Sequence, residues 1–433
     1  MKKVLIISHY FPPIGGAGVQ RTVKFIKYLP VFGFEPIVLT GAGATGGRWT
    51  PCDQSLTADL PADLIVARAV STPLPLGGSS KSEQLAERHK ELILAGSQVI
   101  LKYRPKVLLA TLSPFEDAAV AAELAQKFSI PWVADLRDPW ALDEFQRYRS
   151  RWHRYAEESR MKDSLSTASQ IILNTPEALS VFKLRFPHLA GLASVAIPNG
   201  YDKEDFSGAS DTKINKKFTI VHSGYLHAEG GLKSNVTRIA DLFLGRTIRG
   251  VETLARSHFY ILKALELWLA EDKNLEREVE LVLAGVLSET DRKIVQESSS
   301  RVLVRFLDYL PHKDCTSLIK SADLLFLPLH AMPAGRRSTI VPGKTYEYMA
   351  SGRPILCAVP EGDARDMLQS CGNGLISGPT DVRMMLHHIK ETYSAWSGTT
   401  PAGLLSNQEY VERFERKNLT SLLANVLNKA IVS

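Results

Sequence analysis

The sequence predicts an α/β chain built of two doubly wound, Rossmann-like domains. Three observations predict it: short, wholly apolar runs of strand length, helical-period stretches between them, and one polar interval near the middle after which the alternation restarts. Runs without polar alternation are what strands covered on both faces of a parallel sheet look like. At 433 residues, against roughly 150 per domain, the length suits two or three domains. A content of 45% hydrophobic and 23% charged residues is that of an ordinary globular chain, which excludes collagen, low-complexity and disulfide-scaffold classes.

The expected strands of the first domain are Val4 to Ser8, Pro36 to Thr40, Leu64 to Val70, Val107 to Leu112, Trp132 to Leu136, Gln170 to Thr175 and Val195 to Pro198. Between the first two, Val19, Val23, Ile26 and Leu29 recur at helical spacing, and Phe115 to Phe128 and Pro176 to Phe186 supply further crossovers. The polar stretch Ser207 to Lys217 is the expected boundary. Beyond it, Phe218 to Gly224, Val279 to Gly285, Val302 to Phe306, Asp323 to Leu329 and Pro354 to Val359 form the second set of strands. The organisation expected is therefore residues 1–205, residues 206–405, and a C-terminal amphipathic helix in 406–433 that packs across one of the domains.

Two stretches interrupt the pattern. From Gln146 to Lys162, Arg147, Arg149, Arg151, Arg154, Arg160 and Lys162 interleave with Tyr148, Trp152 and Tyr155, and between Gly230 and Arg256 an insertion adds Lys233, Arg238, Arg246 and Arg249. A solvated helix face and a surface excursion are the plain reading; docking on an anionic membrane surface is the functional one. The net charge of +6 is mild for the length and argues against a nucleic-acid partner. Cys52, Cys315, Cys357 and Cys371 form no CxxC pair, which reads as a reduced, cytoplasmic chain without structural zinc. The apolar run after Lys2 and Lys3 is too short for a signal peptide or a membrane span.

Local chemistry is concentrated in two places. Glycines Gly15, Gly16 and Gly18 follow the first strand and precede a helix, where backbone N–H groups and the helix dipole favour an anion. Arg21 stands where the third glycine of a G-x-G-x-x-G fingerprint belongs, so a dinucleotide cofactor is disfavoured, and a tight turn alone also accounts for the glycines. The second place is Val341 to Pro354: Pro342 suits a first helical turn, Gly352 a C-terminal cap, and Pro354 a stop. Lys344 at that helix start is placed for phosphate, and Glu347 one turn on for the vicinal hydroxyls of a ribose or for a structural salt bridge.

Phe11 to Arg21, Asp135 to Trp140, Pro198 to Asp202 and Pro342 to Pro354, in that order over nearly the whole chain, resemble the family 4 glycosyltransferases of the GT-B fold. The resemblance implies two Rossmann-like domains facing a cleft, a nucleotide-diphosphate sugar (a UDP-sugar is expected) held mainly by the C-terminal domain, and transfer with retention of configuration. It implies that Glu347 binds the nucleotide ribose, that Gly15 and Gly16 lie near the donor phosphates and the acceptor, and that Gly224 precedes a basic residue on the diphosphate. Arg256 is the candidate for that residue and Lys233 the rival. Eight positions before Glu347 the family carries a second glutamate that contacts the donor sugar; here that position is Thr339.

A departing diphosphate and an oxocarbenium-like sugar need positive charge, which basic side chains and helix N-termini supply without a metal. No Asp-x-Asp pair is present, so no metal or cofactor is expected. Asp138 and Arg137, at the carboxyl end of a predicted strand, are the catalytic candidates, with a cap or mutual salt bridge as the alternative. His9, ending the first strand, is a further candidate for facing ligand. The expected activity is hexosyl transfer to a glycan or lipid-linked acceptor in surface polysaccharide assembly. A nucleotide-sugar epimerase or hydrolase of the same fold, and a non-catalytic nucleotide-sugar-binding scaffold, are the alternatives.

Overall fold

The computed structural model describes residues 1–41, 43, 50–69, 81–207, 216–231, 241, 243–399 and 404–432. The chain divides into two compact units, one made of Met1–Asp143, Tyr155–Asp202 and Glu415–Ser433, the other of Glu144–Arg154 and Lys203–Phe414. Each is a parallel sheet wrapped by helices, the α/β, doubly wound architecture that the apolar runs predict.

The first unit holds a seven-stranded sheet of β1 (Lys2–Ser8), β2 (Phe34–Thr40), β3 (Ile65–Arg68), β4 (Val107–Leu112), β5 (Trp132–Leu136), β6 (Gln170–Leu173) and β7 (Ala193–Ala196), in the order β3-β2-β1-β4-β5-β6-β7. Successive residues of one strand go to opposite faces. Leu5 and Ile7 join one core with Ile37, Leu39 and Leu108, while Val4 and Ile6 join another with Val38, Leu109 and Val133. Both faces are covered, which is why β1 reads as a continuous apolar run. The second core is closed by the C-terminal helix Arg416–Val432 through Leu419, Leu423, Val426 and Leu427.

Helix α1 (Ala17–Tyr28) ties three of the recognised motifs together. Arg21, buried, donates Nε and Nη2 to the two oxygens of Asp135 at 3.0 and 2.7 Å, and Nη1 to the Pro198 carbonyl at 2.8 Å. One turn on, Lys24 and Lys27 meet Asp202 at 2.6 and 3.0 Å, and Tyr28 donates to it at 2.8 Å. Burial by itself would raise the Asp202 pKa, but Lys24, Tyr28 and Lys27 hold the carboxyl well below its usual range. Breaking such a buried pair from one side typically costs about 3–5 kcal/mol.

The second unit holds a six-stranded sheet of β8 (Phe218–Ser223), β9 (Val279–Ala284), β10 (Val304–Leu307), β11 (Leu324–Pro328), β12 (Ile355–Ala358) and β13 (Gly374–Ser377), in the order β10-β9-β8-β11-β12-β13. Strand β13 was not expected from the sequence; its four residues are led by a glycine and make no long apolar run. The chain reverses direction of winding beside β8, with β9 on one side and β11 on the other, so the ends of β8 and β11 flank the point where open sheets of this kind bind ligands.

The two interruptions of the strand pattern pair with each other within the second unit. Tyr148 N donates to Arg246 O at 2.8 Å, Arg151 N to Leu244 O at 3.0 Å, and Arg147 pairs with Asp241 at 2.7 Å. Lys233 and Arg238 lie outside the described residues, as do residues 208–215 of the polar stretch Ser207 to Lys217.

Candidate functional site

In the second unit the candidate residues converge on the carboxyl ends of β8 and β11. Strand β8 ends in Ser223 and Gly224, whose φ of +104° suits glycine. A Cβ built on Gly224 would lie 3.0 Å from Lys344 Nζ, so the missing side chain is what lets the lysine approach. Behind it, Gly285 at φ +139° presses against the Gly224 carbonyl, 2.7 Å from where its own Cβ would stand.

The helix Gly343–Ser351 starts as its sequence predicts, with one correction: Pro342 is the N-cap residue, at φ −60° and ψ 145°, rather than part of the first turn. Gly352 closes the helix in the left-handed region. Lys344 sits in its first turn and Nζ donates to His222 Nε2 at 3.1 Å. The other nitrogen of that ring, Nδ1, is 3.0 Å from the Phe326 carbonyl and donates to it, which leaves Nε2 as the acceptor. Burial and the neighbouring Arg256 push the Lys344 amine down to about 7, against the opposing pull of Cys315 and Glu347. The buried Thr345 Oγ1 has no hydrogen-bond partner among the described residues.

Glu347 follows one turn later, 8% exposed. Its carboxylate accepts no hydrogen bond among the described residues; its nearest charged-type neighbour is His312, whose Nδ1 is 3.9 Å from Oε1 while Nε2 meets Asp205 at 2.9 Å. Burial, aided by the charge of Glu347, pushes the Cys315 thiol up to about 12, so it stays protonated and is no nucleophile.

Arg256 lies over the Phe145 ring at 5.1 Å, and its charge is felt at both Lys344 and His330. Thr339, the residue eight positions before Glu347, is buried and bonds to Glu144: its backbone N–H donates to Oε1 at 2.9 Å and its hydroxyl to Oε2. Ser338 Oγ donates to the same Oε1 at 2.6 Å. Glu144, His222, His312 and His330 were not singled out from the sequence; each is brought in by tertiary contact, with no local motif to announce it.

Gly15, Gly16, Arg137 and Asp138 belong to the first unit. Gly15 N donates to Pro51 O at 2.7 Å, and Gly16, at φ +90°, is the N-cap of α1 with no side-chain cap bond. Arg137 donates Nη1 to the Gly18 carbonyl and lies over the Tyr10 ring at 5.5 Å; a Cβ on Gly18 would come within 2.9 Å of the guanidinium. The Arg137–Asp138 salt bridge weighed from the sequence is not formed. Asp138 is exposed, without a side-chain hydrogen bond or ion pair among the described residues. Burial, with Arg88 and Arg137, pushes His9 down to about 4, so its imidazole is neutral at physiological pH.

Among the described residues one group has metal-ligand geometry, His387, His388 and Glu391 on the helix Val382–Trp396; it shares no residue with the cluster around Lys344. No helix among the described residues is long and apolar enough to cross a membrane.

The arrangement at β8 concentrates positive charge at a helix start. Lys344 and Arg256 repel each other, and the dipole of a helix disfavours a cation at its N-terminus. An anion placed there relieves both at once.

Residues 242–395 match the family model described as Glycosyl transferases group 1. No curated protein matches the chain. Among solved structures it is similar to sucrose-phosphate synthase from Thermosynechococcus elongatus, at 15% identity over 99% of this chain and 98% of that one, with a TM-score of 0.65. It is similar to Anabaena Alr3699/HepE in complex with UDP, at 16% identity, 99% and 100% coverage and a TM-score of 0.59. A UDP-N-acetylglucosamine 2-epimerase is similar at 12% identity, 97% and 93% coverage and a TM-score of 0.53.

Proposed function

Starting from a chain of GT-B fold whose residues 242–395 match the glycosyl transferases group 1 model, we propose that it transfers a hexose-type sugar from a nucleotide-diphosphate donor to a glycan or lipid-linked acceptor. The observation that carries this reading is the basic site at β8: the part-buried Lys344 within the field of Arg256 and in the first turn of the Gly343 helix, one turn from a carboxylate that accepts no hydrogen bond among the described residues. A diphosphate satisfies the cations, and a ribose diol satisfies Glu347. UDP is the expected nucleotide, in line with the likeness to the Anabaena protein in complex with UDP.

In the proposed reaction the bond between the anomeric carbon and the diphosphate oxygen breaks with its electron pair on that oxygen. Lys344, Arg256 and the helix N–H groups stabilise the growing charge, without need of a metal. The acceptor oxygen bonds to the anomeric carbon from the face the diphosphate leaves, and its proton passes to the departing diphosphate oxygen, so that configuration is retained. Asp138 and Arg137 are proposed to orient the acceptor, and Gly15 and Gly16 to border it. Surface polysaccharide assembly in the cytoplasm is the proposed setting. Exposed Trp152 and Phe243, near Arg149, Arg151 and Arg246 in sequence or pairing, support a peripheral contact with anionic lipid. Flotation with anionic liposomes at low salt tests that contact, and absence of binding there rejects it.

Isothermal titration with UDP tests the donor site. Charged hydrogen bonds contribute about 1.5–3 kcal/mol, so Glu347→Ala is expected to weaken UDP roughly 10- to 100-fold. Unchanged affinity would remove Glu347 from the site. The likeness to an epimerase supports a second reading, a donor-only reaction, which predicts conversion of nucleotide sugar with no acceptor present.

A further inference from the structure

The helix Val382–Trp396 follows β13 and packs on its sheet, with Met385 and Ile389 wholly buried in the second unit's core. That packing fixes where His387, His388 and Glu391 stand. Residues three and four apart on a helix are neighbours, so Glu391 meets both imidazoles at once. Its Oε2 lies 3.4 Å from His387 Nε2 and 3.4 Å from His388 Nδ1, and one ligand atom from each residue lies within 4.8 Å of the other two. Among the described residues these two rings are the only ion-pair partners of Glu391. Lys390, next to it in the chain, is turned to Glu271 and lies over the Trp268 ring at 6.0 Å.

The hydrogen bond on the far side of the His388 ring gives this juxtaposition its meaning. His388 Nε2 is 3.1 Å from the Ile376 carbonyl, which only accepts, so Nε2 carries the proton. In the neutral ring Nδ1 is then a lone pair, and it faces a carboxylate oxygen. Two acceptors so placed repel, and a positive group between them removes the repulsion: a second proton on the ring, or a cation. The distances favour the cation. At 3.4 Å both contacts are longer than the roughly 2.7–3.2 Å of an N–H···O hydrogen bond. Ligand atoms held about 2.0–2.1 Å from a tetrahedral zinc lie about 3.3 Å from one another, close to the spacing found.

A histidine that binds a metal through one nitrogen commonly donates its other N–H to a carbonyl or carboxylate, which sets the tautomer and aims the ring. Ile376 of β13 does this for His388, the least exposed of the three side chains at 15%. Two imidazoles and one carboxylate are the donor set of Zn²⁺ and its transition-metal neighbours; Mg²⁺ and Ca²⁺ take oxygen ligands. His387 and Glu391 are exposed, so water completes the coordination sphere. None of the three residues belongs to the cluster around Lys344, and the site takes no part in the proposed transfer.

We propose that His387, His388 and Glu391 bind a divalent transition metal of the zinc class, with the Ile376 carbonyl orienting His388 as its ligand. The site is independent of the nucleotide-sugar reading. Because the Ile376 carbonyl meets His388 only in the folded chain, metal binding favours the folded state and holds the helix Val382–Trp396 to the strand before it.

The experiment is isothermal titration of Zn²⁺, and separately of Mg²⁺, into the tag-free, chelator-stripped full chain and into His387→Ala, His388→Ala and Glu391→Gln. The parent is expected to bind Zn²⁺, with a higher melting temperature in its presence, and to show no binding of Mg²⁺. Each variant is expected to weaken Zn²⁺ by at least roughly 10- to 100-fold, the loss that removing an outer-shell partner alone causes. Without metal the variants, all at the surface, are expected to melt within about 2 °C of the parent. Co²⁺ in place of Zn²⁺ is expected to give the intense visible absorption of a tetrahedral complex, lost in His388→Ala. No binding of Zn²⁺ by the parent, or equal affinity in all three variants, would overturn the site. So would nuclear magnetic resonance showing a His388 imidazolium at neutral pH that Zn²⁺ leaves unchanged, since the contact would then be a plain ion pair.

Discussion

Lys344 is the residue on which the proposed donor site turns. With its amine held at about 7 in the folded chain, against 10.5 ordinarily, the unfolded chain binds the extra proton between those values. Stability contributed by this group therefore rises with pH across that window. Diphosphate binding favours the ammonium, so above pH 7 it must take up a proton. The groups that face Lys344 are Arg256, Cys315, Glu347 and His222. Of these, Cys315 is pinned as a thiol and Arg256 stays charged, so the lysine sets the slope. Affinity for UDP is expected to fall by roughly tenfold between pH 7 and 8.5 in the parent and to be flat in Lys344→Arg. Titration calorimetry at three pH values checks it; an equal slope in both proteins would place the proton elsewhere.

At the same scale, legibility followed locality. Lys344 and Glu347 could be found because the helix that carries them is bounded by Pro342 and Gly352, signals written within a dozen residues. Glu144 could not, since nothing in Asp143-Glu144-Phe145 announces a partner at Thr339. Arg256 was reached only through resemblance, and the structure accounts for its position by the Phe145 ring beneath it.

Among the elements, the turn after β8 is the most constrained. Gly224→Ala would hold a side chain at φ +104°, with a strain of about 1–2 kcal/mol, and would drive its Cβ toward Lys344. A midpoint lower by about 2–4 °C per kcal/mol, together with loss of UDP binding, is the expected result from a thermal melt and a titration. The C-terminal helix makes a separate prediction. Leu423 is wholly buried in the first unit's core, so Leu423→Ala is expected to cost about 2–5 kcal/mol in urea unfolding. A cost below 1 kcal/mol would mean that the helix is peripheral to that core.

Strands were legible where burial on both faces made them apolar throughout, as in β1 and β4, both parts of fully covered cores. Strand β13 was missed because Gly374 to Ser377 is too short and too polar at its ends to stand out. The pairing of the basic stretches at Tyr148 and Arg246 was missed for a different reason: charge density reads as solvated surface, and only tertiary structure shows that Asp241 neutralises part of it.

For the whole molecule, the fold class was legible because α/β winding follows from alternation and from the preference for parallel, right-handed crossovers, whereas the strand orders come from the structure. Function does not follow from the fold, which serves transferases and epimerases alike. It follows from whether the charge gathered at β8 binds a nucleotide diphosphate.

The most direct measurement is thermal stabilisation of the full chain by a panel of nucleoside diphosphates and nucleotide sugars, with and without a chelator. A ligand at a hundred times its dissociation constant should add about 2.7 kcal/mol. The account predicts a shift with UDP and a UDP-sugar that survives the chelator and is lost in Lys344→Ala. No shift with any nucleotide, or a shift untouched by Lys344→Ala, would contradict it.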